Sequence, residues 1–107
     1  MTPGNAAILP EILRRLVAAY QPRRVYLFGS EARGDAGADS DIDLAVIVED
    51  DADERRRSPR TAAEVLWGLE RGADVVVLTE SEFEARRRVV ASLPWLVDCD
   101  GRLLRAA

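Results

Sequence analysis

Two short motifs contain the residues best suited to chemistry. Gly29-Ser30 ends a short apolar run, and Asp41-Ile42-Asp43 opens a second apolar run ten residues further on. The Gly-Ser turn can offer backbone N–H groups and a hydroxyl to a phosphate, because the first donors of a following helix have no partners inside that helix. Asp41 and Asp43 lie two apart on an expected strand, so both carboxylates project from one face and can share a hard cation. Together the motifs indicate metal-dependent phosphoryl chemistry.

A third acid, Asp74, opens another apolar run, Val75 to Leu78. If this run and the strand of Asp43 are neighbours, the three carboxylates lie close together. They would then repel one another unless cations sit among them, which is the logic of a site with two metal ions. Mg²⁺ suits such a site because it accepts both carboxylate and substrate phosphate oxygens. We therefore predict that Asp41, Asp43 and Asp74 bind two Mg²⁺ ions.

Each of these residues also has a purely structural interpretation. Asp41 can be a turn or cap residue, Asp43 a strand residue facing solvent, and Asp74 an ordinary acid before a strand. Ser30 can simply cap the next turn. Arg33 can be a solvated helix residue, or it can hold a phosphate or a neighbouring carboxylate. The functional interpretation is favoured because the acids and the Gly-Ser pair occur together at this distance.

The composition excludes several classes of protein. The chain has 107 residues, of which 48% are hydrophobic, and we expect one domain spanning residues 1–107. The net charge of −4 argues against a general nucleic-acid binder, so no direct nucleic-acid contact is expected. All 15 basic residues are arginine and there is no histidine, which removes a Walker-type lysine and Ser-His-Asp or Cys-His catalysis. The single Cys99 predicts a small apolar packing residue and a reducing cytoplasm, and no run is long enough to span a membrane.

Hydrophobic periodicity, prolines and glycines place the motifs on a chain of alternating helices and strands. The first half is predicted to contain a helix from Pro10 to Tyr20 closed by Pro22, a strand from Val25 to Phe28, a short helical turn and loop from Glu31 to Ser40, and a strand from Ile42 to Val48. An exposed, mobile charge run from Glu49 to Arg57 follows, and then a helix from Ser58-Pro59 to Gly72 and a strand from Asp74 to Leu78. The last predicted elements are a helix capped by Ser81 with Glu84 and stopped by Pro94, and a tail with a turn at Asp100-Gly101 and a short final strand.

Aromatic and basic residues outside the motifs could form a contact surface. Trp67 falls off the apolar stripe of its helix, so it either belongs to an interface or packs under a neighbouring loop. Trp95 is expected to lie over the core. The run from Arg86 to Arg88 favours a solvated face, with contact to an acidic partner or a nucleotide as the alternative.

The segment Gly29-Ser30-Glu31-Ala32-Arg33-Gly34, followed by Ser40-Asp41-Ile42-Asp43-Leu44, resembles the signature of the minimal nucleotidyltransferase (MNT) family of the DNA polymerase β-like superfamily. The resemblance implies an α/β (α+β) fold, a small palm-like mixed sheet with helices packed on it. It also implies transfer of a nucleoside monophosphate from ATP or another NTP. By that likeness, Gly29 and Ser30, with Arg33 nearby, hold the nucleotide, Asp41 and Asp43 bind both metal ions, and Asp74 completes the catalytic site.

The resemblance further implies a partner. Members of the family often accompany a HEPN-type ribonuclease toxin, act as its antitoxin, and in some cases transfer AMP to a tyrosine hydroxyl of the toxin. Two alternatives remain open: a non-catalytic binding module that neutralises its partner by complex formation, and transfer to a small molecule such as an aminoglycoside. The intact acids argue against the first, and the lack of room for an acceptor domain argues against the second. The sequence leaves the oligomeric state open, a homo-oligomer included.

Overall fold

The computed structural model describes residues 1–37 and 40–106. Ala38 and Asp39, within the predicted loop before Ser40, lie outside the described residues. In chain order the elements are α1 (Pro3–Tyr20), β1 (Arg24–Phe28), α2 (Gly29–Arg33), β2 (Ile42–Val48), α3 (Glu54–Arg57), α4 (Pro59–Val65), β3 (Ala73–Thr79), α5 (Glu80–Arg86), α6 (Leu93–Asp100) and β4 (Arg102–Ala106).

The four strands form one mixed sheet in the order β3-β2-β1-β4. β1 pairs antiparallel with both β2 and β4, whereas β2 and β3 run parallel. The parallel pair is joined by a crossover that contains α3 and α4, as a parallel connection requires. The predicted fold class, a small mixed sheet with helices packed on it, is confirmed.

Helices cover both faces of the sheet because the strands are apolar on both faces. On one face, Leu44 and Val46 of β2 pack with Ile12 and Leu16 of α1 and with residues of α4. On the other face, Ala45 and Ile47 of β2 pack with Phe83 of α5 and Val97 of α6. Alternate side chains of a strand point to opposite faces, so each β2 side chain can be assigned to one of these two cores.

Helix α1 begins earlier than the sequence predicted. It starts at Pro3, and Pro10 lies inside the helix rather than in its first turn. An interior proline removes one helical hydrogen bond, so the helix needs contacts elsewhere to continue through it. Those contacts exist: Ile8 and Leu9 pack against the core, and Asn5 is buried and hydrogen-bonded to other segments. Tertiary packing therefore outweighs the local effect of Pro10.

The charge run from Glu49 to Arg57 is more structured than predicted. Asp53 caps the short helix α3, accepting from the backbone N–H of Arg56. The Arg56 guanidinium donates to the Glu49 carboxylate and to the backbone carbonyl of Tyr20 at 2.8 Å. These bonds hold the run against the end of α1. The prediction of a loop was therefore wrong for Glu54–Arg57, whereas most of the run is exposed, as predicted.

Two further helix boundaries differ from the prediction. Ser58 caps α4 as expected, but α4 ends at Val65, and the chain turns at Gly68 with φ +86° instead of continuing to Gly72. The predicted box of Ser81 with Glu84 is formed two residues earlier by Thr79 and Glu82. Ser81 instead donates its backbone N–H to Asp50 at 2.9 Å.

The last predicted helix is shorter than expected, and another helix follows where the tail was predicted. α5 ends at Arg86, and Pro94 lies in the first turn of α6, which Ser92 caps. Proline is compatible with a first helical turn because its missing N–H has no helical acceptor there. The predicted final strand is present as β4.

Surface exposure settles two predictions about single side chains. Cys99 is exposed, so its expected role as a small packing residue was wrong. Trp67 is 87% exposed, which contradicts its packing under a neighbouring loop. Within the described ranges, no helix is both long enough and apolar enough to cross a membrane.

Candidate active site

The sheet register places two of the predicted acids side by side. Asp43 is the second residue of β2, with Phe28 of β1 opposite it on one side and Asp74 of β3 on the other. Because side chains in register on adjacent strands project from the same face, the carboxylates of Asp43 and Asp74 are neighbours. Both share the face of Ala45 and Ile47, the one covered by α5 and α6. Asp41 directly precedes the first residue of β2 and is exposed.

Gly29 brings the backbone of the Gly-Ser turn against Asp43. It follows the last residue of β1, opens α2 and has a φ of +74°. A Cβ atom at this position would overlap the Asp43 carboxylate, at its Oδ2 atom. Two independent constraints therefore require glycine here: a left-handed backbone conformation and the lack of space for a side chain.

Electrostatic repulsion is concentrated at Asp43, which is half-buried. Burial raises the pKa of its carboxyl above the usual value, and the charges of Asp74 and Asp41 raise the pKa further. Arg33 acts in the opposite direction and lowers the pKa of Asp43. Asp43 is therefore a partly buried carboxyl beside other carboxylates, an environment in which a bound cation would favour its charged form.

Arg33 has two carboxylate partners outside the acidic pair. Its Nε donates to Asp35 at 3.2 Å, and its Nη1 lies 3.5 Å from the Asp100 carboxylate at the end of α6. The Arg33 side chain remains 46% exposed. Of the uses that the sequence left open for Arg33, the structure shows contact with carboxylates, and it places the guanidinium close enough to Asp43 to affect its charge.

Ser30 lies at the start of α2 and helps to close this short helix. Its carbonyl accepts from the backbone N–H groups of Gly34, at 3.0 Å, and Asp35, at 3.2 Å. Gly34 has a φ of +83°, the usual conformation of a glycine that terminates a helix. The helical turn predicted after the Gly-Ser pair is present and very short, so Gly29 and Ser30 remain close to the end of β1.

Sequence reasoning missed a buried acid inside the same motif. Glu31 is 2% exposed and accepts from the backbone N–H of Thr2 at 3.2 Å and from the Asn5 amide at 2.8 Å. The letter pattern gave no signal for this pairing, because the partners are separated by 26 or more residues and Asn5 precedes the predicted start of its helix. Only the position of Glu31 inside the Gly-Ser motif could have drawn attention to it.

Asp41, Asp43 and Asp74 lie near one another, but they do not form a complete cluster of metal ligands. Within residues 1–37 and 40–106, no group of three or more His, Cys, Asp or Glu side chains is gathered closely enough to hold a metal ion. The structure thus places Asp74 beside Asp43 in the strand register and Gly29 against the carboxylate of Asp43. Asp41 and Arg33 lie close enough for their charges to shift the pKa of Asp43.

Two solved structures are similar to this chain. One is a candidate nucleotidyltransferase from Sulfolobus solfataricus, 23% identical, with a TM-score of 0.60, covering 91% of this chain and 76% of that chain. Another is a chain from the crystal structure of a toxin–antitoxin with AMP-PNP, 26% identical, with a TM-score of 0.56, covering 91% of this chain and 73% of that chain. No curated protein sequence matches this one.

The sequence profile of the nucleotidyltransferase domain matches residues 9–96. The matched region contains the Gly-Ser turn, the paired aspartates and Asp74, and it spans β1, β2 and β3, the strands that bring these residues together. The adjacent acids, the glycine fitted against them and this match agree with one another, and the chain belongs to the nucleotidyltransferase domain family.

Proposed function

We propose that this protein is a Mg²⁺-dependent protein adenylyltransferase that acts as an antitoxin. It transfers AMP from ATP to a tyrosine hydroxyl of a HEPN-type toxin. The family assignment supports nucleotidyl transfer, and the likeness to a toxin–antitoxin structure with AMP-PNP supports the nucleotide and the class of partner. The observation that carries the proposal is the placement of Gly29 against Asp43, with Asp74 in register beside it.

The residues have distinct roles in this reaction. The turn at Gly29 and Ser30 holds the triphosphate, and Arg33 contributes positive charge at its edge. The acceptor hydroxyl gives up its proton to the Asp74 carboxylate while its oxygen forms a bond to the α-phosphorus. The bond from that phosphorus to the bridging oxygen breaks, and pyrophosphate leaves with that electron pair. Asp74 lies on the side of Asp43 away from Gly29 and completes the part of the site that activates the acceptor hydroxyl. Such transfer depends on positioning and charge neutralisation rather than on a covalent intermediate.

The donor set fits a divalent cation. Nucleotidyltransferases typically use divalent metals, and carboxylates are the ligands that Mg²⁺ prefers. The raised pKa of Asp43 means that a cation beside it would relieve repulsion among Asp41, Asp43 and Asp74. When bound, Mg²⁺ supplies charge neutralisation for the phosphates and a template for the two reacting oxygens. We propose two ions, held by Asp41 and Asp43 and completed by Asp74.

The site is open enough for an acceptor that belongs to another protein. Asp41 and Asp74 are exposed, whereas Asp43 is half-buried between them and Gly29. A tyrosine on a partner surface can therefore approach the acids from solvent. This openness favours a macromolecular acceptor over a small molecule, which would need walls that enclose it.

The proposal is tested with ATP labelled at the α-phosphate. Wild type, Asp41→Ala and Asp51→Ala are each incubated with Mg²⁺ and the toxin encoded beside this protein. Asp51 is an exposed acid at the opposite end of β2, so its variant controls for the loss of one surface charge. We expect label on the toxin with wild type and Asp51→Ala, and loss of at least about 100-fold with Asp41→Ala, the scale of removing a metal ligand or its support.

The site of labelling is then located by mass spectrometry of the toxin. Label on a tyrosine supports the full proposal. Label on another hydroxyl retains the enzyme but corrects the acceptor. A complex that neutralises the toxin without any label, and does so equally with Asp41→Ala, would overturn the enzymatic proposal in favour of a binding module.

A further inference from the structure

Asn5 and Glu31 are polar side chains buried where α1, α2 and the segment before β2 meet, each only 2% exposed. The side-chain nitrogen of Asn5 donates to Oε1 of Glu31 at 2.8 Å and to the backbone carbonyl of Ser40, also at 2.8 Å. Its side-chain oxygen accepts from Nη1 of Arg71 at 3.1 Å. Both N–H groups and the carbonyl of this amide are therefore engaged, which fixes its orientation.

The Glu31 carboxylate is fixed as firmly as the amide. Besides Asn5, it accepts from the backbone N–H of Thr2 at 3.2 Å and lies 3.3 Å from the Thr2 hydroxyl. A carboxylate removed from water requires such donors, because an unpaired buried charge is strongly unfavourable. Glu31 thus joins α2 to the first turn of α1.

The position of this pair in the chain connects both motifs of the proposed active site. Glu31 follows Gly29 and Ser30 directly, and Ser40 directly precedes Asp41. Within the described residues, Asn5 is the one side chain that hydrogen-bonds to both ends of the segment between the motifs. A single amide therefore sets the distance between the nucleotide-holding turn and the first acid.

We propose that Asn5, acting through Glu31 and Ser40, is a positioning residue of the nucleotidyl-transfer site. The inference rests on the proposed function for its consequence, whereas its mechanical part can be measured without any reaction. Loss of the amide is expected to loosen α2 relative to Asp41. Nucleotide binding would then weaken even in molecules that remain fully folded.

The test compares wild type with Asn5→Ala and with Leu16→Val, all under conditions where each is folded by circular dichroism. Leu16 is a core residue on the same helix, about three turns away from Asn5, and its variant controls for general loss of stability. Arg71→Ala is the second variant, to be used if Asn5→Ala does not fold. Arg71 is exposed, and its removal frees the Asn5 carbonyl while leaving the buried contacts in place.

Two quantities are measured on each protein. Hydrogen exchange is followed at the amides of Gly34 and Asp35, which donate to the Ser30 carbonyl and so report on α2. Affinity for AMP-PNP with Mg²⁺ is measured by calorimetry. We expect exchange at these amides to be at least 10-fold faster, and AMP-PNP binding at least 10-fold weaker, in Asn5→Ala. Leu16→Val should match wild type in both, and Arg71→Ala should show changes of the same sign but about threefold in size.

The two proposals fail in different ways. Wild type that binds no AMP-PNP overturns the proposed function, and with it the role of Asn5 in positioning a nucleotide. Exchange in Asn5→Ala that equals wild type overturns the positioning role even if wild type binds and transfers AMP. Equal changes in Asn5→Ala and Leu16→Val also overturn it, because they would reflect stability alone.

Discussion

Strand β2 has acidic residues at both ends, and their surroundings differ. At its C-terminal end, Glu49 pairs with the Arg56 guanidinium, which lowers the pKa of Glu49 to about 2. Asp50, the next residue, accepts from Ser81, and this bond also lowers the pKa of Asp50. At the N-terminal end, Asp43 lies beside Asp74, and burial together with neighbouring carboxylates raises its pKa.

The comparison shows which end of β2 pairs its carboxylates with hydrogen-bond donors and which end places carboxylates beside one another. Glu49 and Asp50 receive donors from α3 and α5, so this end of the strand contributes to stability. At the end next to Gly29, burial and the charges of Asp74 and Asp41 raise the pKa of Asp43. A carboxyl with such a raised pKa is often part of a functional site, because a bound ligand can supply the missing positive charge. The difference separates a structural end of β2 from the end that carries the proposed site.

The largest expected effect comes from filling the space against Asp43. Gly29→Ala should lower the free energy of unfolding by about 3 kcal/mol, since a left-handed alanine costs roughly 1–2 kcal/mol and overpacking adds a similar amount. Gly68→Ala, with φ +86° and no atom within 4 Å of the new Cβ, should cost only about 1 kcal/mol. Urea unfolding measures both. Equal losses in the two variants would mean that Gly29 does not lie against the carboxylate.

The next largest effect is expected at the C-terminal end of β2, where Arg56 pairs with Glu49. Arg56→Ala should reduce stability by about 1–2 kcal/mol, because it removes hydrogen bonds to Glu49 and to the Tyr20 carbonyl. Arg55→Ala is the control, since Arg55 is 62% exposed and its pair with Glu64 should contribute less than about 0.5 kcal/mol. The pKa of Glu49 is lowered on folding, so its contribution is present above pH 4.5 and is lost as pH falls towards about 2. An Arg56→Ala loss that persists unchanged at that acidic limit would contradict this assignment.

Divalent cations should stabilise the folded protein through the acids at the N-terminal end of β2, where the proposed site lies. Mg²⁺ at ten times its dissociation constant is expected to raise the free energy of unfolding of wild type by about 1.4 kcal/mol, through preferential binding to the folded state. The same addition should have little effect on a protein with both Asp43→Asn and Asp74→Asn. Thermal unfolding with and without Mg²⁺ measures the difference. A shift of equal size in both proteins would place the binding site elsewhere.

The smallest expected effect is an increase in the free energy of unfolding, whereas most substitutions lower it. Asp43→Asn should stabilise the metal-free protein by about 0.5 kcal/mol or more at neutral pH, which exceeds the usual change for surface substitutions. The reason is that folding raises the pKa of Asp43, so the wild-type carboxyl favours folding below its usual pKa of 3.8 and loses that advantage as pH rises through the folded value.

The stabilisation by Asp43→Asn should therefore disappear near pH 3, where the wild-type carboxyl is also neutral. Asp51→Asn, an exposed acid, serves as the control and should change little at either pH. Urea unfolding at the two pH values makes the comparison. Destabilisation by Asp43→Asn at neutral pH would show that the folded protein already compensates the negative charge of Asp43.

The strands and their acids were predictable because local patterns are strong there. Ile42–Val48 was predicted with its observed bounds, since an unbroken apolar run between polar segments has few alternatives. The helices were harder. The local effect of Pro10 predicts a first-turn position, whereas the buried contacts that allow α1 to continue through it are not visible in the sequence. The sequence offers two capping hydroxyls, Ser81 and Thr79, which lie two residues apart. Because their chemistry is the same, the sequence alone does not show that Thr79 forms the cap.

What the sequence determined by itself was the available chemistry: it supplies the acids and the Gly-Ser turn proposed to hold cations and phosphate, it contains no histidine or lysine, and its apolar runs form strands. Tertiary structure decided which of these groups meet. The parallel register of β2 with β3 places Asp43 beside Asp74, and the backbone conformation of Gly29 places the turn against Asp43. The amide of Asn5 reaches Glu31 and Ser40 across 26 and 35 residues. Local propensity acts over a few residues, whereas register and buried hydrogen bonds depend on the packing of the whole sheet.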